Sequence, residues 1–265
     1  MLDTSVINQI ARDLNQAEKT RVQIRQISAQ YPEITIEDAY SIQREWVRIK
    51  TEEEGRKIIG HKIGLTSKAM QRSSNITEPD YGALLCDMLF HDGDTIPTDR
   101  FIVPRIEVEL AFILGKDLEG PNCSIYDVYR ATEFVQPALE LIDARCPNTD
   151  PETGRTRKVF DTISDNAGVI TGGRLIRPED LDLRWVSALL YRNGSIEESG
   201  VAAAVLNHPA TGVAWLANKL HPYGEKLKAG EIILSGSFTI PIPAKKGDTF
   251  FVDYGNMGTV KCYFG

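Results

Sequence analysis

Glu107 and Glu109 are placed for chemistry because they stand one residue apart in the apolar stretch PRIEVELAF. Side chains alternate along a strand, so these two carboxylates share one face and the aliphatic residues around them share the other. A third carboxylate, Glu140, occupies a similar position in the stretch PALELID. Adjacent like charges repel each other, and they need a cation if their face of the strand is enclosed.

Three converging carboxylates would suit a hard cation. Magnesium prefers near-octahedral oxygen ligands and keeps positions for water and substrate, whereas calcium takes more ligands and zinc favours His or Cys. The alternative is a sheet with one solvent-facing side, on which Glu107 and Glu109 meet only water. Spacing alone does not bring Glu140 to the pair, so both interpretations stay open from the residues themselves.

Lys62, in GHKIGLTSKAM, follows an apolar approach and precedes a Gly-Leu-Thr turn, so we expect its ammonium to be partly enclosed. A buried lysine near a cation would have a lowered pKa and could carry protons near neutral pH. A solvated surface lysine is the alternative. His61 is equally interpretable as a structural hydrogen-bonding residue, and Ser67 and Lys68 as loop surface or substrate neighbours.

The elements that must position these residues change in character near residue 57. Residues 5–53 have helical periodicity, and Thr35 with Asp38 forms the pattern of a capping box. From Ile58 onward the pattern is one of short strands and turns. We therefore predict a helical N-terminal part, residues 1–57, packed on a β-rich domain, residues 58–265.

Within the β-rich part, FIVPRIEVELAFIL and PALELID are predicted strands. Between them SIYDVYRATEFV is predicted as a helix capped by Ser124. A hairpin is expected to turn at Asn193-Gly194, and HPATGVAWLANKL has the pattern of a helix with Pro209 in its first turn.

Composition excludes several classes of partner. The formal net charge is −7 and the pI is about 5.3, which argues against nucleic acid or an anionic membrane surface. The first residues lack the basic and apolar segments of a signal peptide, and no apolar run approaches the ~18 residues of a membrane span. The four cysteines have no CxxC spacing, which is typical of reduced thiols in a cytoplasmic protein.

Five stretches resemble the fumarylacetoacetate hydrolase superfamily, and within it the hydratase and decarboxylase branch of aromatic meta-cleavage pathways. They are GHKIGLTSKAMQ, PRIEVELAF, PALELIDAR, SDNAG and GEIILSGSFTIPIPAKKGD. The likeness covers nearly the whole chain. It implies an α+β fold, a mixed β-sheet roll or sandwich with a small helical N-terminal part, and a homo-oligomer. It also implies that Glu107, Glu109 and Glu140 hold Mg²⁺, or Mn²⁺.

The same resemblance implies roles for other residues. Lys62 would be the catalytic lysine and Asp80 would share its proton transfers, whereas Glu78 is interpreted as a turn residue. Gly236 and Ser237, in LSGSF, would surround the 2-oxo acid end of the substrate.

The stretch SDNAG gives no catalytic role. Asp165 is interpreted as structural beside Asn166, and the segment from Ala167 to Gly172 is expected to be a shortened loop to which we assign no function.

The reaction implied by the resemblance is hydration of a small 2-oxo dicarboxylic acid. The metal would stabilise an enolate, Lys62 and Asp80 would relay protons, and water would add to the carbon β to the conjugated ketone. The distal carboxylate would need a cationic partner, for which Arg72, Arg157 and Lys158 are candidates.

Four other functions stay in view. Decarboxylation would use the same metal and enolate, and hydration of the monocarboxylate 2-hydroxypenta-2,4-dienoate would need no distal cation. Hydrolysis of a carbon–carbon bond would need a water activated by a His–Glu pair, which we do not find around the four histidines. A metal-stabilised protein that binds a ligand without turnover is the non-enzymatic alternative.

Overall fold

The computed structural model describes residues 1–73 and 76–265 of the chain. The helices are α1 (Thr4–Thr20), α2 (Ile27–Gln30), α3 (Ile36–Arg48), α4 (Lys68–Ser73), α5 (Ile125–Ala131) and α6 (Pro209–Leu220). The strands are β1 (Ile58–Gly64), β2 (Asp80–Leu85), β3 (Leu89–His91), β4 (Thr95–Ile96), β5 (Pro104–Leu114), β6 (Thr132–Asp143), β7 (Asn166–Thr171), β8 (Ser187–Arg192), β9 (Ser195–Val201), β10 (Ile232–Leu234), β11 (Ile242–Pro243), β12 (Thr249–Asp253) and β13 (Thr259–Phe264).

Within the described residues, the strands form two sheets. The larger has the order β2-β1-β10-β5-β6-β7-β3, with β11 also paired to β5. The smaller has the order β4-β13-β12-β8-β9. Aliphatic side chains of β5, among them Ile106 and Val108, pack in one buried cluster with Leu190 and Phe250 of the smaller sheet. The core therefore lies between the sheets, and the carboxylates of β5 point to the other side.

The N-terminal helices form a second apolar cluster. Trp46 of α3 and Leu14 of α1 are fully buried and pack with Leu85 at the end of β2. The predicted capping box is confirmed, since the Thr35 hydroxyl accepts from the Asp38 backbone N–H and the Asp38 carboxylate accepts from the backbone N–H of Thr35. The division of the chain into two parts at residue 57 stays a prediction. No helix among the described residues is long and apolar enough to cross a membrane.

Two local predictions were wrong. The predicted helix SIYDVYRATEFV is helical only to Ala131, because from Thr132 the chain pairs with β5 and its β-branched and aromatic side chains fit a strand. The segment after Asn166 is no loop, since it forms β7 between β6 and β3. The hairpin at Asn193-Gly194 and the helix beginning at Pro209 are confirmed.

Candidate active site

Three glutamates converge on the outer face of the strand pair β5 and β6. Register places Glu107 directly opposite Glu140, and Glu109 lies opposite Ala138 one step along the same face. Carboxylate oxygens of the three residues all lie within 4.8 Å of one another. Glu109 and Glu140 are fully buried, with exposed fractions of 0% and 1%. The geometry therefore differs from a solvent-facing strand, which would leave these groups in water.

Burial raises the pKa of all three carboxylates. Burial, followed by the neighbouring Glu140, raises the pKa of Glu107 to about 8. Burial also raises the pKa of Glu109 well above its ordinary value, with both other glutamates adding to the effect. Burial raises the pKa of Glu140 as well. Without a cation, burial therefore disfavours the charged form of these carboxylates.

The donor set fits a divalent cation of the magnesium type. Among the described residues, the buried oxygens Glu109 Oε1 and Glu140 Oε1 have no hydrogen-bond partner. The other Glu109 oxygen, Oε2, accepts from the backbone N–H of Gly236 at 2.8 Å, which fixes the orientation of that carboxylate. Ligands that are all carboxylate oxygens suit Mg²⁺ or Mn²⁺ and leave room for water or substrate.

Lys62 lies on the same face of the large sheet as the glutamates. Its strand neighbour Leu234 pairs with Ala111, which shares the face of Glu109. Lys62 is buried, and its Nζ lies 3.4 Å from Asp80 Oδ1. The two residues to which the family resemblance assigned proton transfer are therefore in contact.

Burial and nearby charges act in opposite directions on the pKa of Lys62. Burial by itself lowers the pKa of Lys62, but the neighbouring carboxylates, led by that of Asp80, raise it above its ordinary value. The predicted lowering was for a lysine near a cation, and it stays a prediction. A cation held by the glutamates would offset part of this negative charge.

Gly64 makes room for the pair. A Cβ at Gly64 would overlap the Asp80 carboxylate and lie 2.9 Å from Lys62 Nζ. A side chain there would separate the two groups. The sequence GHKIG thus supplies both the lysine and the space that brings the aspartate to it.

A cavity of about 310 Å³ opens beside the glutamates. Its wall comprises residues 64–67, the loop 237–241, Ala204, Glu107, Glu109 and Glu198. Ser237 and Ser67 both line the cavity, and their contact with a substrate stays a prediction. Gly236 contributes its backbone N–H to Glu109, and its φ of +120° is one that residues with side chains rarely adopt.

The predicted partners of the distal carboxylate lie away from the cavity wall. Arg157 donates to Asp165 at 2.8 Å, and burial raises the pKa of Asp165 to about 6 despite this partner. Arg72 is exposed on α4, the helix that follows the cavity-lining residues 64–67, and Lys158 is exposed. Which residue recognises the distal carboxylate therefore stays a prediction.

Four flanking residues are accounted for by other contacts. His61, on the opposite face of β1 from Lys62, has Nδ1 3.3 Å from a carboxylate oxygen of Glu231. Glu78 accepts from Lys219 at 2.6 Å, and the exposed Lys68 donates to Gln71 at 2.9 Å. The amide of Asn166 donates to the backbone carbonyl of Ala83, which ties β7 to β2.

Two site residues were missed in the sequence. The Tyr254 hydroxyl is buried and donates toward the carbonyls of Ala138, at 2.7 Å, and Glu109, at 3.1 Å, so it binds the two glutamate-bearing strands together. Glu198 reaches the cavity from β9 of the other sheet. No local pattern marks either residue, because their positions depend on how the two sheets pack.

The chain belongs to the fumarylacetoacetate hydrolase family, whose C-terminal domain model matches residues 59–264. The mixed sheets with a small helical N-terminal part are the fold of that family, as the resemblance implied.

Three similar proteins indicate the kind of enzyme that this chain resembles. The chain is 72% identical to the 2-oxo-hept-4-ene-1,7-dioate hydratase of Escherichia coli, with 100% of both chains aligned. It is 39% identical to a 2-hydroxyhexa-2,4-dienoate hydratase of Comamonas testosteroni, over 100% of this chain and 99% of the relative. The structure of 4-oxalocrotonate decarboxylase from Pseudomonas putida G7, complexed with magnesium and adipate, superposes with a TM-score of 0.92 at 34% identity, covering 100% and 99% of the two chains. The named hydratases are lyases.

Proposed function

We propose that this protein is a hydratase that adds water to 2-oxohept-4-ene-1,7-dioate and gives 4-hydroxy-2-oxoheptane-1,7-dioate. The observation that carries the proposal is the 72% identity over the full chain to the Escherichia coli hydratase of that substrate. The buried carboxylates, the Lys62–Asp80 pair and the adjoining cavity supply the functional groups that such a reaction needs.

We further propose that Glu107, Glu109 and Glu140 hold Mg²⁺, with Mn²⁺ as a substitute. The convergent oxygens support this ligand set, and the related decarboxylase was solved with magnesium. When bound, the cation supplies Lewis-acid stabilisation of the enolate of a 2-oxo acid.

Lys62 and Asp80 carry protons to and from the carbon chain in this proposal. Their contact at 3.4 Å lets one group hold the proton that the other has released. Moving one proton along the substrate brings its alkene into conjugation with the ketone. The residues around the cavity then position the substrate for addition of water.

The test is to incubate the purified protein with Mg²⁺ and the dioate and to follow products by NMR. We expect the 4-hydroxy-2-oxo acid to appear, and its formation to stop when a chelator removes the metal. Unchanged substrate under all metals would contradict the proposal and favour a ligand-binding protein without turnover.

A second candidate function is decarboxylation of 4-oxalocrotonate, because the TM-score of 0.92 is to a decarboxylase of this fold. Release of carbon dioxide separates the two reactions. We expect no carbon dioxide from the dioate or from 4-oxalocrotonate.

Recognition of the distal carboxylate is proposed for Arg72 or Arg157. Position in the chain favours Arg72, because its helix directly follows the cavity-lining residues 64–67, while Arg157 already pairs with Asp165. Replacement of the true partner by Ala should lower kcat/KM for the dioate by about 2–4 kcal/mol if the pair is desolvated, and should hardly change it for 2-hydroxypenta-2,4-dienoate. Equal losses on both substrates would argue against this role.

We also propose a cytoplasmic homo-oligomer. All four cysteines are free thiols, as in a reducing compartment. The smaller sheet exposes apolar side chains on its outer face, including Leu189, Ile196, Phe251 and Tyr263. Contiguous exposed apolar area is typical of contact surfaces. Sedimentation velocity should therefore give a mass of two or more chains, each of 29.5 kDa.

A further inference from the structure

Glu198 is a carboxylate of the cavity wall that stands outside the metal-ligand set. It lies on β9, the edge strand of the smaller sheet, whereas the glutamates, Lys62 and Asp80 all lie on the larger sheet. Glu198 therefore approaches the cavity from a different side of the molecule.

The strand register explains why Glu198 faces inward. Glu198 pairs with Leu190, which is fully buried in the core between the sheets, so both side chains share the inner face. Two residues on, Gly200 packs so closely on the backbone carbonyl of Phe238 that a Cβ would not fit. This contact presses β9 against the loop 237–241.

The same loop is fixed to the metal-ligand strand. The Phe238 backbone N–H donates to the carbonyl of Val108 at 3.2 Å, and the Val108 N–H donates to the Thr239 hydroxyl at 3.2 Å. Val108 stands between Glu107 and Glu109. The loop is therefore a rigid connection between the strand of Glu198 and the strand of the metal ligands.

Glu198 also has no committed partner. Within residues 1–73 and 76–265, its side chain makes no hydrogen bond or ion pair, whereas the adjacent Glu197 pairs with Arg192 at 2.8 Å. Ser237 directs its hydroxyl to the carbonyl of Thr239 at 2.9 Å. Glu198 thus offers the cavity an unpaired carboxylate, a hydrogen-bond acceptor to which a water molecule can donate.

We propose that Glu198 is a further catalytic residue, the general base that holds the attacking water and takes its proton. This inference rests on the proposed hydration. Addition of water needs one group to protonate carbon and another to deprotonate water. Asp80 is already in contact with the Lys62 ammonium, whereas Glu198 is a separate carboxylate on the cavity wall that is available for the second task.

The step balances as follows for the conjugated 2-oxo-3-ene form of the substrate. One O–H bond of water breaks and its proton passes to the Glu198 carboxylate, while the oxygen forms a bond to C4. The electron pair of the C3–C4 double bond moves to C2–C3, and that of the ketone moves to its oxygen, giving the enolate. The enolate then takes a proton at C3 from Lys62, Glu198 returns its proton to solvent, and Lys62 regains one from solvent.

The experiment compares Glu198→Gln with Glu197→Gln, a matched control on the same strand whose side chain faces the surface. Hydration of the dioate should fall about 10²–10³-fold in Glu198→Gln and stay near wild type in the control. Deuterium exchange at C3 of 2-oxopentanoate, which needs enolisation but no water addition, should change by less than about two-fold in both. Calorimetry should show unchanged binding of Mg²⁺ and oxalate.

Chemical rescue separates a base from a structural residue. In Glu198→Ala, added formate should restore part of the hydration rate, because a small carboxylate can occupy the vacated space and accept the proton. Wild-type protein with formate controls for competition with the substrate. Near wild-type hydration in Glu198→Gln, parallel loss of deuterium exchange, or absence of rescue would each overturn the assignment. A wild-type protein that does not hydrate the dioate would instead overturn the proposed function together with it.

Discussion

Two clusters of charged side chains in this molecule place their carboxylates in opposite states. The acidic cluster, Glu107, Glu109 and Glu140, has raised pKa values because burial and mutual repulsion disfavour its charge. The ion-pair cluster joins Glu18 of α1 to Lys50 at 2.8 Å and Arg145 at 3.1 Å. Burial alone would raise the pKa of Glu18, but its cationic partners, Arg145 first, lower it to about 2.

The difference shows that burial does not decide the state of a carboxylate; its partners do. Lys50 and Arg145 are 0% and 1% exposed, so charged side chains are buried in the ion-pair cluster as well as in the acidic one. The ion-pair cluster carries its own cations and is complete in the folded chain. The acidic cluster is complete only when a cation comes from outside, which is the property expected of a binding site.

The largest expected effect is at the acidic cluster. Glu109→Gln keeps the shape of the side chain but removes a charged ligand, so Mg²⁺ affinity and hydration should collapse by several kcal/mol. The metal-free protein should melt no lower than wild type, because one repulsive charge is gone. Calorimetry with Mg²⁺ and differential scanning fluorimetry measure both quantities. Full activity in this variant would remove the basis for the metal site.

Lys62→Met separates proton transfer from metal binding. The change keeps the aliphatic stem and removes the ammonium, so hydration should fall by about 10²–10⁴-fold while Mg²⁺ and oxalate still bind. Steady-state kinetics and calorimetry give the two results. Lost oxalate binding would show instead that Lys62 holds the ligand.

Breaking the ion-pair cluster should affect stability and spare the chemistry. Glu18→Gln removes the carboxylate that Lys50 and Arg145 share and leaves Lys50 only the more distant Glu54, at 3.5 Å, which should cost about 3–5 kcal/mol of unfolding free energy. Urea denaturation measures the loss. The Mg²⁺ affinity of the folded variant should match wild type; a parallel loss would mean that the two clusters are coupled through β6.

The smallest effect is the dependence of stability on pH. Because the pKa of Glu18 is lowered from 4.5 to about 2, its stabilising contribution is complete above pH 4.5 and is lost as pH falls toward 2. The difference in melting temperature between wild type and Glu18→Gln should therefore shrink over that range. A difference that stays constant from pH 6 to pH 3 would contradict the assigned pairing.

Local pattern was enough to predict part of the site. Alternation along PRIEVELAF placed Glu107 and Glu109 on one face, and that follows from strand geometry alone. Glu140 lies close to Glu107 because of the register between β5 and β6. No local sequence pattern determines that register, so only the family resemblance predicted that Glu140 joins the pair. The helix predicted through Val135 failed for the same reason, because pairing with β5 decides the conformation of Thr132–Val135.

Contacts between the two sheets could not be predicted from the sequence. Glu198 stands in a hairpin strand of ordinary composition, and only the packing of Gly200 on Phe238 brings it to the cavity. The pKa of Lys62 likewise depends on carboxylates from three other strands, which the sequence around the lysine does not contain.

Gly64 has a consequence for how freely this chain can vary. Gly64 has no charge, no hydrogen-bonding side chain and no strained backbone, so the residue type alone would suggest that alanine is harmless at this position. Yet the space that a methyl group would fill is already occupied by the Asp80 carboxylate and the Lys62 ammonium. The volume of the side chain therefore limits which substitutions Gly64 tolerates. In a saturation mutagenesis library selected for growth on the aromatic precursor, substitutions of Gly64 should be depleted as strongly as substitutions of Lys62.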